Sequence, residues 1–328
     1  MSKVPISRRK FIKILGGLAV AAGVSGVLYE QFRPKDYPAK QVKPDAYTQD
    51  GKSLVSIIKG NSDADIDAMV RAAVSAIGGI GKLVSSGKTV VVKPAVLTSD
   101  PNCAPDPKVV AAVIKLARDA GGRVIVAETS GGGNTEYCLS QVGITSASQA
   151  AGAEVKPLTR DEEIPMEVPK GTSLRRVRTY KTIYGADVII SVPRLKRHGN
   201  TAVTISLKNM MGVIPQAEMG RFHNTSLSQC IADLNTVLKP DLTVVDATYA
   251  MAGAGPTGGT MVRMDTVMAS GDAVAIDRVG AQRLQEIEQQ RGIPSFKVAD
   301  VTHISAAATL GVGTNDLSKI SIIERTLE

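Results

Sequence analysis

An α/β fold is expected for this chain: a mainly parallel sheet with helices on both faces, built from βαβ units. Short Val/Ile-rich runs alternate along it with segments whose apolar residues recur at helical spacing. The runs are continuously apolar, as in strands covered on both faces. Composition agrees, with aromatic residues at 3%, no Trp, and 31 Gly among many Val, Ile and Ala. Such a chain packs strands and helices closely and offers few rings on which bases could stack, so a nucleic-acid partner is not expected.

Leu54 to Lys59 reads as a strand, Asp63 to about Ile77 as a helix, and Thr89 to Val92 as the next strand. The helix from Asp106 to Ala120 is the most fully marked. Asp106 is a natural N-cap and Pro107 fits the first turn, where its missing N–H leaves no bond unmade. Val109, Val110, Val113, Ile114 and Ala117 then form one apolar face, and Gly121-Gly122 closes the helix. Val124 to Ala127 follows as a strand. Residues 156–178, with Pro157, Pro165, Pro169 and mixed charge, read as a small insertion or an edge hairpin. Beyond it lie a strand from Asp187 to Val192, a helix from Ser226 to about Leu238, and strands Leu242 to Val245 and Thr266 to Ala269. A helix from Ala273 to about Gln289 and a strand near Ile320 to Ile323 complete an α/β domain expected over residues 53–328.

The formal charge of +8 is uneven: residues 1–40 hold eight Lys/Arg against two Asp/Glu, and the rest is nearly neutral. Within that basic segment Arg8, Arg9 and Phe11 precede a mildly hydrophobic run, Ile14 to Tyr29. The pattern resembles a twin-arginine (Tat) export signal. The resemblance implies the Tat machinery as a partner, folding before export, and a place in the periplasm or on the outer face of the cytoplasmic membrane. Residues 1–29 are therefore expected to be a signal or an uncleaved anchor, although the run falls short of the ~20 residues of a comfortable span. Residues 30–52, rich in Pro, Lys and Asp without an apolar period, read as a linker. Three cysteines, Cys103, Cys138 and Cys230, are too few and scattered for a disulfide framework or an iron–sulfur or zinc motif, and free thiols are expected.

Ligand sites of open α/β sheets lie beyond the carboxyl ends of the strands, where loops and helix starts converge. Four apolar runs here end on polar residues: Lys93 after VVV, Glu128 with Gly131 and Gly132 after VIVA, Lys196 and His198 after VIISV, and Asp246 after LTVV. Lys208 and Asn209 follow the apolar run from Thr204 to Leu207, His223 comes later, and Gly255, Pro256 and Thr257 lie in a glycine-dense loop. Lys93, Lys196 and Lys208 are candidates to hold phosphate or carboxylate. His198 and His223 are acid–base candidates, and Asp246 is a candidate to orient a histidine or a lysine. The two histidines lack a familiar metal-ligand spacing, so plain ligand binding ranks above metal binding. His303 is read as structural. No dinucleotide, P-loop, serine-hydrolase or zincin motif is present.

Taken together, VVVKP, VPRLKRHG with VTISLKNMMGVIP, the later His223, VVDATYAMAGAGPTGG and ASGDAVAIDRVG resemble the DUF362 family, a domain of unknown function, over roughly residues 53 to 320. Ala95 stands where family members often have Asn, and the ferredoxin-type cysteine clusters that many carry are missing. Any electron transfer implied by the resemblance would therefore need a redox partner protein. Residues and resemblance lead to one expectation: an exported enzyme binding an anionic substrate or organic cofactor of unspecified identity, with redox or proton-transfer chemistry. A non-catalytic periplasmic binding protein and an accessory subunit of an exported redox complex are the alternatives.

Overall fold

The apolar runs become neighbouring strands of one eleven-stranded sheet in a computed structural model that describes residues 37–61 and 65–327. In chain order the strands are β1 (Thr48–Gln49), β2 (Lys52–Lys59), β3 (Thr89–Pro94), β4 (Arg123–Glu128), β5 (Glu154–Pro157), β6 (Glu163–Glu167), β7 (Arg176–Tyr180), β8 (Val188–Val192), β9 (Arg194–His198), β10 (Ala202–Thr204), β11 (Leu242–Ala252), β12 (Thr260–Ser270) and β13 (Ile320–Thr326). The main path runs β1-β2-β12-β11-β8-β3-β4-β5, with β13 on β2, β9 beside β11, and β10 on β9.

Pairing is parallel from β5 through β4, β3 and β8 to β11, and also between β9 and β11 and between β13 and β2. It turns antiparallel where β11 meets β12, because residues 253–259 are too short a connection for a helical crossover. Consecutive residues of one strand enter opposite apolar layers: Val90 and Val92 pack into one, Val91 into the other. Helices Ile66–Ala76 and Pro107–Asp119 cover the first face, and Leu227–Asn235, Ala273–Gln290 and Thr302–Thr309 cover the second. The chain is thus a mainly parallel α/β protein, as expected. Asp106 caps its helix by accepting from the Lys108 N–H at 2.8 Å.

Two expectations change. Residues 37–52, read as linker from the sequence, carry β1 and pack on the body. Lys40 Nζ donates to the carbonyls of Tyr184 and Ala186 at 2.7 and 2.6 Å, and Tyr47 is fully buried. Anchoring by single lysine and tyrosine side chains leaves no apolar period, so the stretch looked like linker. Arg194 to His198, to which the sequence assigned no element, is strand β9: Pro193 ends β8 and the chain pairs again at once beside β11. Strands β11 and β12 run on to Ala252 and from Thr260, well past the apolar runs that marked them, because Asp246 and Asp265 interrupt the pattern. The hairpin expected near 156–178 is present as the separate antiparallel pair β6–β7. All three cysteines are free and buried. The Tat-like segment, with Arg8 and Arg9, lies outside the described residues. Among the described residues no helix is long and apolar enough to cross a membrane.

Candidate functional site

Strands β3 and β4 end side by side, bringing Lys93 and Glu128 to one edge of the sheet. Beyond β8, the two-residue alternation of β9 turns Arg194, Lys196 and His198 to one face. Arg197 points away, ion-paired with Glu288 at 3.3 Å and stacked on Phe296. The short helix Ser206–Asn209 supplies Lys208 and Asn209. Its first N–H groups, on Ser206 and Leu207, donate to the buried Asp277 carboxylate at 2.7 and 3.2 Å. These elements enclose a cavity of about 110 Å³ lined by Lys93, Glu128, Gly131, Lys196, His198, Lys208, Asn209 and Pro256, among others.

Lys93 lines the cavity but has no N–H to spare. Its ammonium donates to Glu128 Oε2 at 2.8 Å, Asn209 Oδ1 at 2.5 Å and the Pro94 carbonyl at 2.9 Å, which uses all three donors. Glu128 accepts further from the N–H groups of Val96 and Thr129, and the Asn209 amide donates to the Lys93 carbonyl and to Ser191 Oγ. The three side chains expected to hold a ligand are instead bonded mainly to one another, welding β3 and β4 to the Lys208 turn. Burial pushes the Glu128 carboxyl up to about 7 and Lys93 down, while their mutual attraction opposes both shifts. Gly212 closes over this pair, and a Cβ there would collide with Glu128 Oε1 and Lys93 Nζ. Gly212→Ala should therefore cost about 1–3 kcal/mol of stability in urea unfolding through overpacking.

Lys196 and Lys208 are differently placed. They are 2% and 8% exposed, and among the described residues neither has a carboxylate at ion-pair distance. Lys196 donates to the Cys103 carbonyl at 2.5 Å, and the one hydrogen bond of Lys208 among the described residues is to the Met211 sulfur at 3.4 Å. Burial drives both ammonium groups down to about 8, and the charge of Lys196 adds to the effect at Lys208. Thr204 Oγ1, also on the cavity wall, is buried without a hydrogen-bond partner among the described residues. Two unpaired cations and an unpaired hydroxyl suit an anion that accepts hydrogen bonds.

His198 departs from its expected acid–base role. Its Nδ1 accepts from the Asn200 backbone N–H at 3.1 Å, so the neutral ring carries its proton on Nε2. Burial, then the charge of Lys208, lowers its pKa to about 3. At neutral pH it is a hydrogen-bond donor toward the cavity rather than a base. Nitrogen-15 NMR should show an Nε2–H tautomer unchanged from pH 5 to 8, and titration near 6.5 would overturn this assignment.

The remaining candidates lie outside the cavity wall. Asp246 is fully buried and committed to Arg194 at 3.2 Å, the Asp106 N–H at 2.7 Å and Thr248, rather than to a histidine or lysine. His223 is exposed on helix Gln216–Asn224, although partial burial and the charge of Lys208 lower its pKa. Gly132 packs on Thr98, and Gly255 packs against Arg197 while its carbonyl accepts from the Gly199 N–H. Thr257, like these, does not line the cavity. Sequence reasoning missed Thr204, Met211, Gly212 and Met219. A glycine directly after two methionines was the one visible sign.

The profile of the family described as Domain of unknown function (DUF362) matches residues 90–282. This chain belongs to the DUF362 family. The matched segment opens within β3 and contains every cavity-lining residue named above, so the cavity belongs to the part this DUF362 protein shares with its family. The Thylakoid-associated protein sll1697 of a Synechocystis strain is 28% identical over 250 residues, covering 70% of this chain and 74% of the relative. The lactate racemase apoprotein of Thermoanaerobacterium thermosaccharolyticum aligns with a TM-score of 0.47 at 12% identity. That alignment covers 75% of this chain and 59% of the racemase.

Proposed function

We propose that this DUF362 protein is an enzyme that binds a small anionic organic molecule in the cavity at the strand ends and catalyses proton transfer on it. One observation carries the reading: Lys196 and Lys208, both buried, face one cavity with no carboxylate at ion-pair distance among the described residues. Burying two like charges is costly, and an anion between them supplies the missing counter-charge. Lysines lowered to about 8 exchange protons readily near neutral pH, and the His198 Nε2–H can polarise a carbonyl, which favours proton transfer over redox chemistry. Calorimetric titration with oxalate and with inorganic phosphate tests the anion site. Lys196→Gln and Lys208→Gln should each weaken binding about tenfold or more, the value of a charge-assisted hydrogen bond. Affinities unchanged in both variants would rule the reading out.

For the N-terminus we propose export through the twin-arginine route, on the Arg8-Arg9-Lys10-Phe11 pattern and the apolar run after it. A membrane-bordering location fits the thylakoid association in the relative's name. Replacing Arg8 and Arg9 with Lys should trap the protein in the cytoplasm, and unchanged fractionation would count against this route.

A further inference from the structure

We propose that Lys208 is a nucleophile that forms an imine with an anionic carbonyl compound, a 2-oxo acid being the smallest class the cavity suits. The proposal rests on the anion-binding reading above and adds to it the reacting atom and the substrate class. Three buried lysines line the cavity, and their hydrogen bonds separate their roles. Lys93 has all three N–H groups engaged, so its lone pair is never available. Lys196 is tethered by one N–H to the Cys103 carbonyl, which holds its head group in place as an anion-binding group. Among the described residues the Lys208 ammonium hydrogen-bonds to the Met211 thioether alone, a weak acceptor, so its amine can lose a proton without breaking a strong bond.

The turn that carries Lys208 is rigid. Asp277 receives its first N–H groups, and Asn209, next in the chain, is locked to Lys93 and Ser191. Desolvation and a neighbouring cation are the two standard means of raising the share of a lysine amine that is neutral and nucleophilic near neutral pH, and Lys208 has both. Lys196 holds the carboxylate, which leaves the adjacent carbonyl carbon for Lys208. The His198 Nε2–H and the unpartnered Thr204 hydroxyl are the hydrogen-bonding groups available to the carbonyl oxygen.

The chemistry balances without an added oxidant or reductant. The Lys208 Nζ lone pair forms the C–N bond as the carbonyl π pair moves onto oxygen. One amine proton passes to that oxygen, giving a carbinolamine. A proton supplied by solvent then lets the hydroxyl leave as water while the nitrogen lone pair closes the C=N bond, so the nitrogen keeps its remaining hydrogen and the imine is protonated. The protonated imine then withdraws electrons from neighbouring bonds, which is what proton transfer at an adjacent carbon requires.

The test is reductive trapping on the wild-type protein. Glyoxylate is added with cyanoborohydride, and peptide mass spectrometry locates the carboxymethyl groups, while calorimetry measures oxalate binding in parallel. The expected result is labelling of Lys208 at least about tenfold faster than of any surface lysine, suppressed by excess oxalate and absent in Lys208→Arg. If oxalate binds but Lys208 is labelled no faster than surface lysines, the imine proposal falls and the anion site stands. If oxalate does not bind and Lys208 is not labelled, both fall. Because the site is mapped in the wild-type chain, a misfolded variant would not obscure the answer.

Discussion

Glu128→Gln should lower the stability of the fold by about 3–5 kcal/mol, measured by urea unfolding at pH 7.5, without requiring any ligand. Glu128 is 1% exposed, and its two oxygens accept from Lys93 and from the N–H groups of Val96 and Thr129. A glutamine must turn an NH2 toward at least one of these donors. It also leaves the Lys93 ammonium with only neutral carbonyl oxygens, from Asn209 and Pro94, deep in the protein. Lys93→Met should be destabilising by a comparable amount, because the buried carboxylate keeps two N–H donors and loses its cation. Lys93→Met combined with Glu128→Leu removes both charges and should recover much of the loss. That non-additivity is the signature of a coupled buried pair. Single variants costing less than about 1 kcal/mol would show that the pair is not what joins β3 to β4.

The sheet was legible because strand segments such as Val90–Val92 and Val188–Ile190 are buried on both faces, so their sequence is continuously apolar. The site's address was legible for a related reason: parallel strands deliver their carboxyl ends to one edge, so polar residues directly after apolar runs must meet there. The distinction between committed and available side chains was hidden. Lys93 and Lys208 look alike in sequence, and only contacts across 35 and 116 residues, to Glu128 and Asn209, show that Lys93 is spent. Asp246 looked available for the same reason, since its partner Arg194 lies on a strand disguised by four basic residues and a proline. The Tyr37 to Gln49 segment was invisible to periodicity because lysine–carbonyl bonds and one buried tyrosine hold it.

Lys208→Met should make the ligand-free protein more stable than wild type at pH 7 by on the order of 3 kcal/mol, an advantage that disappears by about pH 10. In the folded wild type Lys208 titrates near 8, pushed down by burial and by Lys196, whereas in the unfolded chain it titrates near ~10.4. Below pH 8 both states are protonated, and the folded state carries the full cost of a buried ammonium. Between the two values the unfolded chain binds more protons than the folded one, so wild-type stability contributed by this group rises with pH. Lys196 and Lys93 act in the same direction. Cys103, Cys230, Tyr47 and Tyr180 act in the opposite one, since burial holds each of them protonated to higher pH than in the unfolded chain. The difference between wild type and Lys208→Met isolates the lysine, because those groups are common to both. Saturating oxalate should shrink the advantage at pH 7 by giving the ammonium its counter-charge, and oxalate affinity should fall as pH rises through 8 for the same reason. A methionine variant that is less stable at pH 7, or whose difference from wild type does not change with pH, would mean that Lys208 is already paired in solution. The cavity would then lack the uncompensated charge on which its proposed chemistry depends.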